Sequence, residues 1–297
     1  MATKSVNIHN GDTGVKDRSA TLASSLGVSV WLRHLLLIAG SLLMIFPFLW
    51  TVLSSLKDLS QIFVIPPQWI PNPVVWSNYP ASLQAMPFIQ AYANSFYITA
   101  IVVLSTLFTA SMAAYAFAKI NFPGRHVLFI LFLSTMMIPK QVTMIPLYLI
   151  MNKVGWLDTH WSIIVPGALF NAFAVFLLRQ FVMGIPRDLE EAAVVDGAGH
   201  IRIYWSVILP LIRPALAAVG IFTFLGAWNS FLDPLIYLNT PEKFTVPLLL
   251  NSFKGLYTAD WALMMAGTTI SVIPVLVVYI FAQKQIIEGI TMTGIKG

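Results

Sequence analysis

The chain has 297 residues, of which 58% are hydrophobic and only 10% charged, against roughly a quarter charged in an average soluble domain. That leaves too few polar groups to clothe a soluble fold, and the apolar residues run in blocks long enough for a bilayer, which needs about 20. The absence of cysteine excludes disulfides, thiolate metal sites and cysteine nucleophiles; the net charge of +5 reads as the cation excess that orients membrane helices rather than a nucleic-acid surface.

Residues 1–30 are polar, mixed in charge and poor in aromatics, which predicts a flexible tail. Six apolar blocks follow, at about 34–56, 89–118, 126–145, 161–178, 215–236 and 261–283. The first is longer than a signal-peptide core and no small-residue cleavage site follows it, so it is expected to stay as a membrane helix. The expected fold is therefore an all-α integral membrane protein: a six-span domain over 31–283 and a short tail over 284–297. Orientation follows from the cations. One set of joints holds Lys4, Lys16, Arg18, Arg33, Lys119, Arg125, Arg179, Arg187, Arg202, Arg213, Lys284 and Lys296; the other holds only Lys57, Lys153, Lys243 and Lys254. The richer set belongs in the cytoplasm, which puts both termini inside.

The segment from Lys57 to Phe88 carries prolines 66, 67, 71, 73, 80 and 87 with Trp69, Trp76 and Tyr79. Proline fixes φ and lacks a donor, so an extended, rigid outer loop is expected here. Its aromatics suit the headgroup layer, or alternatively an extracytoplasmic partner. Lys140 lies in the third block between Pro139 and Pro146. Counted from His126, it stands roughly 20 Å into a core about 30 Å thick. The prolines favour a break that lets the lysine snorkel to the outer interface; the alternative is a charge lining a solute path. Asp233 and the neighbouring Asn229 stay open between lining a path and bonding to a neighbouring helix.

One inside joint is long and patterned, about 185–210, between the fourth and fifth blocks. Asp188 is a suitable N-cap, with Glu191 three residues on to complete a capping box. Acidic side chains in the first turn suit the helix dipole, and Gly197 is the expected stop. A second short helix is expected, with Ile201, Tyr204, Trp205 and Ile208 on one face. The residues alone predict a helix–turn–helix at the membrane surface, with small Ala192 and Ala193 beside carboxylates.

Glu191-Ala192-Ala193, then Gly197, then Leu209-Pro210 resemble the EAA loop of binding-protein-dependent ABC importer permeases, with Val207 where isoleucine is usual. Glu191–Gly197 with Asp196, Leu209-Pro210-Leu211, the end of the chain from Gln283 to Gly297, Asn94-Ser95 and Trp228-Asn229 are similar to the carbohydrate branch, the maltose-transporter type. The resemblance implies that Glu190, Glu191, Ala192, Ala193, Asp196, Gly197, Leu209 and Pro210 form a coupling helix and loop that dock on a separate ATPase. In that docking Glu191 would supply a charge contact and Ala192 and Ala193 close packing. Glu288, Gly289 and Lys296 would lie near the ATPase dimer interface. It implies as partners a second related permease, two ATP-binding cassette subunits and an extracytoplasmic solute-binding protein, in a bacterial or archaeal inner membrane. No Gly-x-x-x-x-Gly-Lys-Ser/Thr phosphate loop occurs in the chain, so ATP and magnesium are expected on the partner and no cofactor here. No catalytic or metal cluster is visible, which speaks against a membrane enzyme. The competing reading is an ion-coupled secondary transporter, with Lys140 as its intramembrane charge.

Overall fold

A computed structural model describes the backbone of residues 30–169, 171–254 and 260–294, and the side chains of 32–169, 171–254 and 260–283. The expected tail thus lies outside the described residues up to position 29. The chain divides into two units between Trp50 and Thr51. The first carries most of α1 (Val30–Ser55), an apolar helix with Pro47 inside it.

In the second unit, the outer segment contains two helices, α2 (Leu59–Ile62) and α3 (Asn78–Ala85), where an extended loop was expected. Lys57 is buried and donates to the Gln68 carbonyl at 2.5 Å, and Asn78 donates to the carbonyls of Ser55 and Lys57. Asn78 satisfies carbonyls at the end of α1 and Lys57 one within the proline-rich stretch, which allows that stretch to fold back as a compact loop.

Four helical stretches are long and apolar enough to cross a membrane: Leu32–Ser55, Phe88–Lys119, Trp161–Met183 and Trp261–Gln283. Two further pairs reach that length only as bent units, Arg125–Met137 with Lys140–Val154 at 101° and His200–Leu211 with Arg213–Trp228 at 78°. The count is four to six spans rather than six uniform rods, and the regular elements among the described residues are all helical.

The central element is α4 (Phe88–Lys119), 32 residues without an interior proline, or about 48 Å at 1.5 Å per residue. Its buried stripe is built of small residues, including Ala91, Ala110, Ser111 and Ala114, which lets neighbouring backbones approach. The third expected block is two helices, α5 (Arg125–Ser134, continued by a 3₁₀ turn at Thr135–Met137) and α6 (Lys140–Val154). Ile138 is extended because the residue before a proline is pushed out of the helical region, and Pro139 starts the new helix.

The fourth block is likewise two pieces, α7 (Trp161–Leu169) and α8 (Ala172–Met183). Thr106 and Thr109 of α4 donate to the Gly167 and Ala168 carbonyls, while Asn171 caps α8 by accepting from Ala174 N–H. Freed backbone groups in a low-dielectric layer need such partners.

The patterned joint holds α9 (Asp188–Val195), α10 (His200–Ile203), a π-helical turn (Tyr204–Ile208) and α11 (Leu209–Leu211). It leads into α12 (Arg213–Trp228), which stops eight residues short of the expected end at 236 (236 minus 228). Pro234 cannot donate back to Ser230, so the chain breaks, and α13 (Leu232–Tyr237) is separate. A short helix α14 (Val246–Ser252) and the long α15 (Trp261–Gly294) complete the order. Gly267 of α15 sits where a Cβ would come within 2.8 Å of Leu250, 3.0 Å of Ser82 and 3.1 Å of Phe88. That glycine permits α15 to close on α3, α4 and α14.

Candidate functional site

The loop over 185–212 is attached to the Lys119 end of α4. Lys119 Nζ lies 2.7 Å from Glu190 Oε1 and donates to the Ile185 carbonyl, also at 2.7 Å. Tyr204 hydrogen-bonds Ser111 at 2.7 Å and its ring packs on Tyr115. Nearby, Arg179 donates to the Phe117 carbonyl and lies over the Phe129 ring.

α9 begins one residue earlier than the capping-box reading required. Arg187 occupies the N-cap position with no side-chain cap, and Asp188 is already helical, so the Asp188–Glu191 box does not form. Pro186 accounts for this, because its fixed φ leads the chain directly into the first turn. The dipole expectation is met: Asp188, Glu190 and Glu191 all sit in that turn. The stop is as expected. Gly197 has φ +79°, its N–H donates to the Val194 carbonyl, and Ala198 N–H donates to the Ala193 carbonyl. This is the Schellman pattern, and only glycine takes that conformation without a side-chain penalty.

The motif residues divide between two faces. Glu190 turns inward to Lys119, and Ala193 is half-buried against the chain's own core. Glu191, Ala192 and Asp196 are exposed, beside Leu189, Val194 and Val195, the last 87% exposed. The second helix also departs from expectation. Ile201 and Trp205 are exposed, and the buried stripe is Ile203, Tyr204, Ile208 and Ile212. The π turn, in which Leu209 N–H reaches Tyr204 five residues back, inserts an extra residue and rotates the register. Pro210, with no N–H to give, follows that turn and partly explains it. Glu288 and Gly289 fall in α15 with only their backbone described, and Lys296 lies outside the described residues.

The intramembrane candidates are brought together. Lys140 Nζ is 2.5 Å from Asp233 Oδ2, so the lysine at the start of α6 has a counter-charge. Asn229 bonds its own helix, donating to the Leu225 carbonyl. No group of three or more His, Cys, Asp or Glu able to hold a metal occurs among the described residues.

A second polar cluster went unnoticed in the sequence. Asp158 accepts from the N–H groups of Asn239 and Thr240, from the Thr240 hydroxyl and from Lys243 Nζ at 2.9 Å. The Thr240 hydroxyl, then Lys243, hold its carboxyl well below the usual carboxylate range. His160 Nε2 lies 2.7 Å from the Lys243 carbonyl and must be the donor there, which leaves Nδ1 for the Tyr97 hydroxyl. Asn94 donates to the carbonyls of Glu242 and Phe244, and Ser95 accepts from Val246 N–H. The loop after α13 is thus pinned to the Phe88 end of α4.

A family model described as the binding-protein-dependent transport system inner membrane component matches residues 107–290, which include the whole of the α9–α11 loop. The chain belongs to this family. It is 34% identical over 260 residues to the arabinooligosaccharides transport system permease protein AraQ of Bacillus subtilis, with 86% of this chain and 92% of that protein covered. It is 30% identical to the diacetylchitobiose uptake system permease protein DasC of Streptomyces coelicolor, over 86% of this chain and 92% of the relative. Among solved structures it resembles a chain of a bacterial ABC transporter involved in import of the acidic polysaccharide alginate. The TM-score is 0.76 at 27% identity, over 92% of this chain and 99% of that one. A second alginate transporter structure, at 15% identity and TM-score 0.60, shares the fold. The part played by this chain is that of a multi-pass, non-catalytic permease of an ABC importer. A carrier driven by ions is set aside by that membership.

Proposed function

We propose that the chain is one of two related permease subunits that together line a path for a sugar or oligosaccharide, with α9 seated on the ATPase. The observation that carries this reading is the face of α9. A family member with no phosphate loop of its own presents a capped helix whose outer side holds Glu191, Ala192, Val195 and Asp196. Small and apolar residues there permit close approach, and the carboxylates supply charge contacts. Six spans with both termini in the cytoplasm, in a bacterial or archaeal inner membrane, agree with the cation bias and with the two bent pairs each counting as one span. The same proposal includes the division into tail 1–30, permease 31–283 and tail 284–297, with Glu288, Gly289 and Lys296 beside the ATPase pair. ATP and magnesium belong to two copies of that partner, and an extracytoplasmic binding protein delivers the solute. The sugar class rests on the oligosaccharide permeases that this chain resembles. Lys140 and Asp233, as a neutralised pair, suit a path for an uncharged solute.

Substitution Glu191→Arg tests the docking face. The variant is expected to reach the membrane while the ATPase recovered with it on purification falls at least tenfold. Recovery at the normal yield overturns the assignment. For the solute, deleting the gene is expected to abolish uptake of labelled oligosaccharide, and unchanged uptake of arabino-, malto- and chito-oligosaccharides would remove the sugar class.

A further inference from the structure

Neighbouring glutamates of α9 point to opposite sides. Glu191 is exposed, while the Glu190 side chain is only 16% exposed and meets Lys119, itself 6% exposed, at 2.7 Å. Lys119 is the last residue of α4 and also holds the Ile185 carbonyl, three residues before α9 begins. Each charge complements its own helix, a cation at the carboxyl end of α4 and an anion in the first turn of α9. The pair therefore joins two helix ends at a defined angle. A buried pair of this kind is a poor source of stability, because desolvation offsets its attraction. What it supplies is direction, which an apolar contact would not.

The far end of α4 is pinned too, through Asn94 and Ser95 to the loop at 242–246. Between the two ends α4 is unbroken, whereas α1, α6, α7 and α15 each contain an interior proline. An unkinked helix moves as one body when one end is displaced, whereas a proline kink offers a place to bend.

We propose that Lys119 is a positioning residue that locks α9 to α4, so that a displacement of α9 is delivered along the whole of α4 to the loop at 242–246. The proposal rests on the reading of α9 as the ATPase-docking helix. Loss of the pair leaves α9 docked but free to move without α4.

The test uses spin labels on introduced cysteines, since the chain itself has none, with the partner subunits freed of reactive cysteines. Labels are placed at Leu189→Cys on the flank of α9 and Ile89→Cys at the exposed far end of α4, in the complete transporter in nanodiscs. The interlabel distance is read without nucleotide and with ATP plus orthovanadate. In the otherwise unaltered chain and in Lys119→Arg, the distance is expected to stay the same between the two states. In Lys119→Met and Glu190→Gln it is expected to shift by more than about 2 Å, the scale of helix shifts in switching proteins. Glu190→Gln keeps the side-chain shape, so it reads the same question if Lys119→Met does not assemble. An unchanged distance in either assembled variant overturns the proposal, as does a shift in Lys119→Arg equal to that in Lys119→Met. If Glu191→Arg still retains the ATPase, the docking reading fails. If it loses the ATPase while Lys119→Met keeps the fixed distance, only the present inference fails.

Discussion

Asp158 shows how one side chain organises a loop. It has φ +53°, and its carboxylate gathers two N–H groups, a hydroxyl and an ammonium from the segment 239–243. Its folded-state pKa is depressed, so the stabilisation is fully present above the unfolded value of about 3.9 and is lost as pH falls through the folded value. Asp158→Asn is expected to cost about 1 kcal/mol at pH 7, given the partial exposure of the pair. A lowered melting temperature in detergent would register this, and the gap to the unaltered chain should be constant from pH 5 to 8 and narrow below about pH 4. Such pairings are where sequence reading stops. Asp158 meets Lys243, Lys119 meets Glu190 and Lys140 meets Asp233 across long stretches of chain, and nothing local forecasts the meeting. A usable signal existed for one pair. Lys140 and Asp233 are opposite charges beside prolines in apolar blocks, and an intramembrane charge needs a counter-charge.

At the scale of elements, hydropathy located the apolar blocks well where the helix is uninterrupted, as with 89–118 against Phe88–Lys119. Where proline divides an apolar run, the prolines forecast the break, as at Pro139, but hydropathy carries no information on its direction. Pro139 turns the chain by 101° without making it any less apolar. The register of the second loop helix was missed for a related reason, since a 3.6-residue period does not allow for a π turn. The packing of α15 was equally hidden, for Gly267 sits in a run that reads as ordinary apolar helix. Gly267→Val is expected to destabilise by about 1–3 kcal/mol, as overpacking does. Thermal unfolding in detergent should detect the loss, whereas Gly226→Val, where a Cβ would meet nothing within 4 Å, should change little.

For the molecule as a whole, α4 explains most of the arrangement of the second unit. Its small-residue stripe takes α7, α8 and α12, one end carries the loop at 242–246, and the other carries α9. The membrane class, the helix stopped by Gly197 and the family were legible before any coordinates, because composition, capping chemistry and the Glu-Ala-Ala spacing are local in sequence. The division of that motif into an inner and an outer face was not, since adjacent glutamates look alike on paper and differ only once Lys119 is in place.

Exposed apolar side chains on and beside the outer face of α9 bear on the life of the protein in the cell. Leu189, Val194 and Val195 stand exposed on a helix of eight residues, and uncovered apolar groups in water invite adhesion. On the proposed docking of α9, a copy made without its ATPase leaves those side chains uncovered, and membrane proteases are expected to clear it. Pulse–chase labelling should show its half-life shortened severalfold when the ATPase gene is silenced, and lengthened by Val195→Ser. Subunit balance would then be kept by clearance of surplus copies rather than by matched synthesis.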